Sequence, residues 1–523
     1  MSKGALEAPL KEDPSLFNTL APVRKDRGLL HVIGLLSMEV LVNGLSGIVP
    51  EHRRRPQLSD RTNDQALGGS SRLIPTYAAR GMELDIPKNE LPKGSMLPST
   101  AYQIIHDELR LDGYSLLNLA TFVTTWMEDE ADKLIHETLD KNMVDRDEYP
   151  QTAQLEQRCI RMVADLWNAP DHENAVGTST IGSSEACMLG GMAMKWRWRN
   201  KRKANGDSTD KPNLVMGANV QVCWHKFCRY WDVEPREVPS EGDRFTLNAE
   251  EALKLVDENT IGVVVIMGST FDGRYEPVEE VAKALDDHEA KTGQDIPIHV
   301  DGASGGFVAP FLQPEIKWDF RLPRVKSINA SGHKYGLVYP GVGWVIFRDK
   351  DALPEELVFH VKYLGGDMLD LSINFSRPGN RVVAQYYNFL RLGHEGYRRI
   401  HAASQKVAMS LSRSIGELEP FDLITDGSDI PVFCWKMNDE YAKTANFSLY
   451  DLADKLRERG WLVPAYPMPK NRSDLVVQRI VVKEDFSLDV AQMLLDDIKR
   501  SVAWFESRED LKPTQTPQSR FHH

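Results

Sequence analysis

Cysteine is scarce: the 523-residue sequence holds five, Cys159, Cys187, Cys223, Cys228 and Cys434. An odd, scattered set does not read as a disulfide framework and suits a reducing compartment, so a cytoplasmic protein is expected. Clean apolar runs are missing as well. The stretch 29–49 is broken by His31, Glu39, Asn43 and several glycines, short of the ~18 uninterrupted apolar residues of a membrane span. Nor does the start read as a secretory leader, which would join a charged beginning to a small-residue cleavage site. Basic excess is missing too. The formal net charge of -13 argues against a nucleic-acid partner, whose phosphates need a basic surface. Cys223 and Cys228 with His225 between them invite a metal reading. No second ligand cluster with zinc-like spacing follows, so buried free thiols and no metal are expected.

What is present is ordinary for a globular enzyme-sized chain: 41% hydrophobic and 27% charged residues, long enough to need more than one domain. Residues 1–95 stand apart, with prolines, glycines and the basic knot His52-Arg-Arg-Arg55. Thr100 and Gln103 have capping-box spacing ahead of a helix face of Ile104, Ile105 and Leu109. From about 175 to 350, short β-rich runs alternate with helical segments. Strands are expected at Asn213–Gly217, Ile261–Gly268, Ile296–Asp301, Arg324–Ala330 and Gly343–Phe347. The run from Ile261 to Met267 is apolar throughout rather than alternating, which suits a strand covered on both faces, hence an α/β fold with a mostly parallel sheet. The last hundred residues read as a smaller α+β unit. It has strands at Pro431–Met437 and Leu475–Val482 and a helix capped by Ser448 and Asp451. A final helix carries Val490, Met493, Leu494, Ile498, Val502 and Phe505 on one side.

Three features in fixed order bear chemistry. Thr178-Ser-Thr-Ile-Gly-Ser-Ser-Glu-Ala186 leads into a helical segment, and a Gly-Ser-Ser turn at a helix start is either a phosphate cradle or an ordinary cap. Asp301, in His299-Val-Asp-Gly-Ala-Ser-Gly-Gly306, ends a buried strand. A carboxylate there either caps the next element or meets a cationic partner such as a protonated pyridine nitrogen. Lys334 closes Ser327-Ile-Asn-Ala-Ser-Gly-His-Lys334. Desolvated near a sheet edge, its amine would be a Schiff-base nucleophile; the alternative is a solvated surface lysine. All three fall at strand ends, where α/β folds bind ligands.

Longer runs resemble the glutamate decarboxylases of the bacterial type, within the group II pyridoxal-phosphate decarboxylases. The similarity lies in Gly182 to Arg199, in Trp318-Asp-Phe-Arg-Leu-Pro-Arg-Val-Lys-Ser327, in Tyr363-Leu-Gly-Gly366 and in Asn374-Phe-Ser-Arg-Pro378. It runs from about Pro98 to Glu506. The resemblance implies a fold-type I large domain, a small C-terminal domain and active sites shared across a homodimer or higher homo-oligomer. It implies pyridoxal 5'-phosphate on Lys334, with the phosphate held by Ser183, Ser184 and Thr270. Asp301 then meets the ring nitrogen, Gln221 lies over the ring, and Ala303, Ser331 and His333 lie beside it. Ser376 would come from the neighbouring subunit. Thr121 and Phe122 match the segment that meets the distal carboxylate of L-glutamate, Asn142 and Asp145 one that lends polar groups across the interface, and Arg479 an arginine that engages or orients substrate. His225 would face the cavity as a catalytic or a buried structural histidine. Tyr363 stands where a loop residue delivers the proton after decarboxylation, or packs. The domains so implied are 1–95, 96–160, 161–395, 396–510 and a tail at 511–523.

The implied reaction converts glutamate to 4-aminobutyrate and carbon dioxide, consuming a proton, as in acid-tolerance decarboxylases. His522 would be a terminal latch of the kind some of these carry. The sequence departs from the family at Gly366-Asp-Met-Leu-Asp-Leu371 and at Glu484, where some members carry an arginine near a halide site, so chloride activation is not expected. The tail after Trp504 lacks the basic patch of calmodulin-regulated plant forms. Two rivals stay open: a group II decarboxylase of another amino acid, and a non-catalytic scaffold of the same fold.

Overall fold

The computed structural model describes residues 89–361 and 368–514. The expectations for residues 1–88, Tyr363 and His522 lie outside them.

β-branched and apolar runs make the central sheet. Its strands are β1 (Val176–Thr180), β2 (Asn213–Gly217), β3 (Glu234–Val238), β4 (Thr260–Ile266), β5 (Ile298–Asp301), β6 (Val325–Ala330) and β7 (Gly343–Phe347), in the order β1-β7-β6-β5-β4-β2-β3. β2 pairs in parallel with β3 and β4, β4 with β5, and β5 with β6. β7 alone runs antiparallel, against β1 and β6. Every residue of β4 is buried, because both faces are covered. Val263 and Val265 join one core cluster with Cys159, Ile160 and Val163 of α3 (Pro150–Leu166). Val264 and Ile266 join another with Cys187 and Met194 of α4 (Ser183–Asn205) and Trp224 and Phe227 of α5 (Val222–Tyr230). Each such side chain contributes roughly 1.5–3 kcal/mol on burial. The result is a helix–sheet–helix sandwich.

A hairpin of β8 (Phe359–Val361) and β9 (Met368–Asp370) follows. The smaller sheet is antiparallel, ordered β10-β11-β13-β12 from β10 (Phe421–Thr425), β11 (Val432–Met437), β12 (Ala465–Pro467) and β13 (Val476–Val481). It packs with α10 (Leu449–Arg457) and α11 (Leu488–Glu506). The Ser448–Asp451 capping box at the start of α10 is present as expected. On α11 the buried stripe is Ala491, Leu494, Leu495, Ile498, Val502 and Phe505; Met493 falls off that stripe and is exposed. α9 (Asn380–Gly416) is broken at Gly393, where φ of +55° leaves the helical region, a conformation glycine tolerates without a Cβ penalty. The break lies beside the expected domain boundary at 395.

The first helix corrects the sequence reading. α1 (Pro98–Leu109) starts at Pro98, not at a Thr100 cap, and buries no residue. Proline suits the first turn because its missing N–H has no helical partner there. Ile105 and Leu109 are exposed. The remaining helices are α2 (Asp129–Glu137), α6 (Ala249–Lys254), α7 (Val278–Thr292) and α8 (Ala309–Leu312).

Candidate active site

Five segments leave the C-terminal ends of parallel strands and meet around a cavity of about 520 Å³. They are Ile181–Glu185 after β1, Asn219–Cys223 after β2, Gly268–Thr270 after β4, Asp301–Ala303 at the end of β5 and Ser331–Lys334 after β6. This is the edge where open α/β sheets bind ligands, and the volume suits one small molecule.

At one end α4 begins. Its N-cap, Gly182, has no side chain to cap the helix. The N-terminal N–H groups and the positive end of the helix dipole therefore remain available to an anion. A Cβ on Gly182 would lie 2.7 Å from His333 Cε1, so glycine here lets the lysine loop approach. Ser331 Oγ donates to Ser183 Oγ at 2.7 Å, and Ser184 and Thr270 also line the cavity.

Asp301 is buried and heavily solvated by protein. Trp224 Nε1 donates to its Oδ2 at 2.8 Å, with Cys187 Sγ 3.7 Å away. Ala303 N and Asn329 Nδ2 donate to Oδ1 at 3.1 and 3.2 Å. Four donors thus converge on this one carboxyl group. Asn329 in turn presents Oδ1 to His299 Nε2 at 2.8 Å, while His299 Nδ1 meets Ser327 Oγ at 2.7 Å. Since Asn329 spends its amide nitrogen on Asp301, the hydrogen-bond pattern assigns the His299 proton to Nε2. Burial lowers the His299 pKa to about 4, so the relay is neutral.

Lys334 stands across the cavity, half-buried, with Nζ 3.4 Å from Ser304 Oγ and 5.1 Å from the centroid of the Phe122 ring. Desolvation lowers its pKa; Asp301 opposes the shift and Arg479 adds to it. His333, the preceding residue, is lowered to about 4 by burial and by the Lys334 charge. The lysine loop is clamped from outside: His333 O accepts from Thr124 N at 2.9 Å and Lys334 O from Thr124 Oγ1 at 2.7 Å.

Of the expected site residues, the cavity brings together Ser183, Ser184, Gln221, Thr270, Asp301, Ala303, Ser331, His333 and Lys334. Gln221 doubles as the cap of α5, its Oε1 accepting from Cys223 N at 2.6 Å. The reading of His225 needs correction. α5 turns Cys223, Trp224, Phe227 and Cys228 inward, and helical periodicity carries His225 to the opposite, exposed face. There its Nε2 pairs with Glu237 Oε1 at 2.7 Å, away from the cavity lining.

The substrate-side residues lie outside the lining. Phe122 is buried between Lys334 and Arg479, 4.8 Å from the guanidinium, whereas Thr121 is exposed. Arg479 donates to the carbonyls of Thr270 and Ala120. Backbone oxygens thus accept from both terminal nitrogens of this buried cation. Asn142 sits beside the segment that carries Ser376: its Oδ1 accepts from Arg377 N at 3.0 Å and its Nδ2 lies 3.4 Å from Ser376 Oγ. Asp145 is half-buried one turn away, its N–H bonded to Asn142 O. Ser376 is exposed.

Sequence reasoning missed Glu185 and Asn374. Glu185 Oε1 accepts from Ile373 N and Asn374 N, both at 2.9 Å, and Oε2 accepts from Ile181 N at 2.9 Å. This buried carboxylate ties the 373–374 segment to the cavity mouth, where Asn374 joins the lining. A glutamate in the first turn of a helix was the available signal, since acid there complements the dipole.

A helix start with no N-cap side chain, a buried and hydrogen-bonded carboxylate and a desolvated amine across one cavity fit an aldehyde cofactor bearing a phosphate and a basic ring nitrogen. The chain belongs to the pyridoxal-dependent decarboxylase family: the "Pyridoxal-dependent decarboxylase conserved domain" matches residues 87–438. Within it, the chain is 57% identical to the glutamate decarboxylase of Aliivibrio fischeri over 430 residues, 82% of this chain and 92% of that one. Glutamate decarboxylase 1 of Arabidopsis thaliana is 50% identical over 427 residues, 81% and 84% of the respective chains. The solved structure of a Lactobacillus brevis glutamate decarboxylase superposes with a TM-score of 0.79 at 48% identity, covering 82% of this chain and 97% of that one.

Proposed function

We propose that the chain decarboxylates L-glutamate to 4-aminobutyrate and carbon dioxide, consuming one proton per turnover. The observation that carries this is Lys334 and Asp301 in one cavity beside the uncapped start of α4, in a chain 57% identical to a glutamate decarboxylase. Bound pyridoxal phosphate supplies a conjugated ring that accepts the electron pair released when the Cα–carboxylate bond breaks.

The chain's own residues do the rest. Ser183, Ser184, Thr270 and the α4 N–H groups hold the phosphate, with Ser331 orienting Ser183. Asp301 keeps a proton on the ring nitrogen, and its four donors hold the carboxylate in place for that task. Ala303, His333 and Gln221 shape the walls around the ring. Lys334 anchors the cofactor, and its depressed pKa supplies the free amine that nucleophilic attack requires. Thr121 and Phe122 receive the distal carboxylate, with Asn142, Asp145 and Ser376 contributing across a subunit interface. Arg479 acts as a positioning residue that sets Thr270 and Phe122.

The working form is a homodimer or higher homo-oligomer, which the exposure of Thr121 and Ser376 at the expected interface supports. Residues 161–395 bind the cofactor, 396–510 form the small domain and 96–160 contribute to the dimer. A cytoplasmic setting is supported by five free, buried cysteines. Among the described residues no helix is long and apolar enough to cross a membrane.

Turnover of glutamate, aspartate and tyrosine, compared at acidic and neutral pH, tests the assignment. Glutamate is expected to be strongly preferred; preferential release of carbon dioxide from tyrosine would reject it.

A further inference from the structure

The cavity floor also gathers two thiols beside Asp301, the carboxylate that the proposed function assigns to the cofactor. Cys187 on α4 and Cys223 on α5 approach Asp301 from two helices, and one ligand atom from each of the three lies within 4.8 Å of the other two. Cys187 Sγ is 3.7 Å from Asp301 Oδ2. All three residues are buried and all three line the cavity. Among the described residues, no other group of three histidine, cysteine or acidic side chains is so close.

Two sulfurs and one carboxylate oxygen form a soft donor set, unlike the all-oxygen shells of magnesium or calcium. A tetrahedral zinc-class ion takes sulfur at about 2.3 Å, which puts neighbouring ligand atoms about 3.8 Å apart. The observed spacing therefore needs closing by at most about 1 Å. Three protein ligands leave a fourth position open to the cavity, and Trp224 and Asn329 already orient the carboxylate as outer partners.

We propose that, in the cofactor-free chain, Cys187, Cys223 and Asp301 bind one thiophilic divalent cation of the zinc or cadmium class. We further propose that cation and cofactor exclude each other because both require Asp301. Binding releases the two thiol protons to solvent and changes no oxidation state. The exclusion rests on the cofactor role of Asp301; the cation site itself does not.

The test is a cadmium titration of the full cofactor-free chain, read by thiolate-to-cadmium charge-transfer absorption. One cadmium per chain is expected. Cys187→Ser and Cys223→Ser should each weaken binding by more than about a hundredfold, because losing an outer partner alone costs about 10- to 100-fold. Cys434→Ser, a buried thiol on another sheet, should bind as the native chain does. Circular dichroism checks folding, and Asp301→Asn, which keeps both thiols, should also weaken binding if either serine variant unfolds. An absent band, or one surviving both serine variants or Asp301→Asn at native strength, overturns the site. Loading with pyridoxal phosphate should abolish the band, and a cation retained beside the cofactor overturns the exclusion. A chain that binds cadmium as expected but fails to turn over glutamate would sink the functional assignment alone.

Discussion

Gly190→Ala should damage the cofactor acid from the far side of α4. In an open helix interior the exchange stabilises by about 1 kcal/mol, because alanine loses less backbone freedom. Here the new Cβ would fall inside contact distance of His299 Cε1 and Nδ1. His299 cannot turn away without releasing Ser327 and Asn329, and Asn329 is the outer donor to Asp301. Overpacking costs about 1–3 kcal/mol and two lost hydrogen bonds about 1 kcal/mol each. Less the helix gain, net destabilisation is about 2–4 kcal/mol. The check is a denaturant midpoint for Gly190→Ala, His299→Ala and the double variant, with cofactor affinity measured on each. Removing the imidazole relieves the clash, so the double variant should be markedly less destabilised than the sum of the singles. Cofactor affinity of Gly190→Ala should fall about tenfold, equivalent to about 1.4 kcal/mol. A stabilised Gly190→Ala, or strict additivity, would refute the reasoning.

Other expectations follow from single residues. Lys334→Ala should abolish glutamate turnover and leave no borohydride-reducible lysine adduct on peptide mapping; undiminished carbon dioxide release would contradict the assignment of this amine. Burial, then Asp485, raises the Glu484 pKa to about 8. The protonated form therefore suits the fold, and stability present below the unfolded value near 4.3 is lost as pH rises toward 8. Glu484→Gln should accordingly gain thermal stability over the native chain with rising pH across that window, and a pH-independent difference would argue against it. Glu185→Ala removes the acceptor of three backbone N–H groups. Exchange at the Ile373 and Asn374 amides should accelerate about tenfold or more, as a lost bond to a charged acceptor costs about 1.5–3 kcal/mol.

The central sheet was legible where its strands are buried on both faces. Asn213–Gly217 and Gly343–Phe347 coincide with the observed strands, because unbroken apolar runs admit few other uses. The strands missed were polar: β1 reads Val-Gly-Thr-Ser-Thr and β3 Glu-Pro-Arg-Glu-Val. Their membership comes from pairing with neighbours distant in sequence, and no local pattern announces it. The motifs around Ser183, Asp301 and Lys334 were legible because their chemistry is concentrated in a few adjacent residues. The donors to Asp301 were not, since Trp224 and Asn329 reach it from 77 and 28 positions away. His225 was misplaced because nearness to Gln221 along the chain says nothing about which side of a helix a residue takes.

Arg479 belongs to the smaller sheet, yet its guanidinium grips the carbonyls of Thr270 and Ala120. Occupancy of the cavity beside Thr270 is therefore linked to the integrity of a sheet that does not line it. Such linkage is reciprocal: a ligand that steadies the Thr270 loop must protect β13 from local opening by the same factor that an intact β13 tightens the ligand.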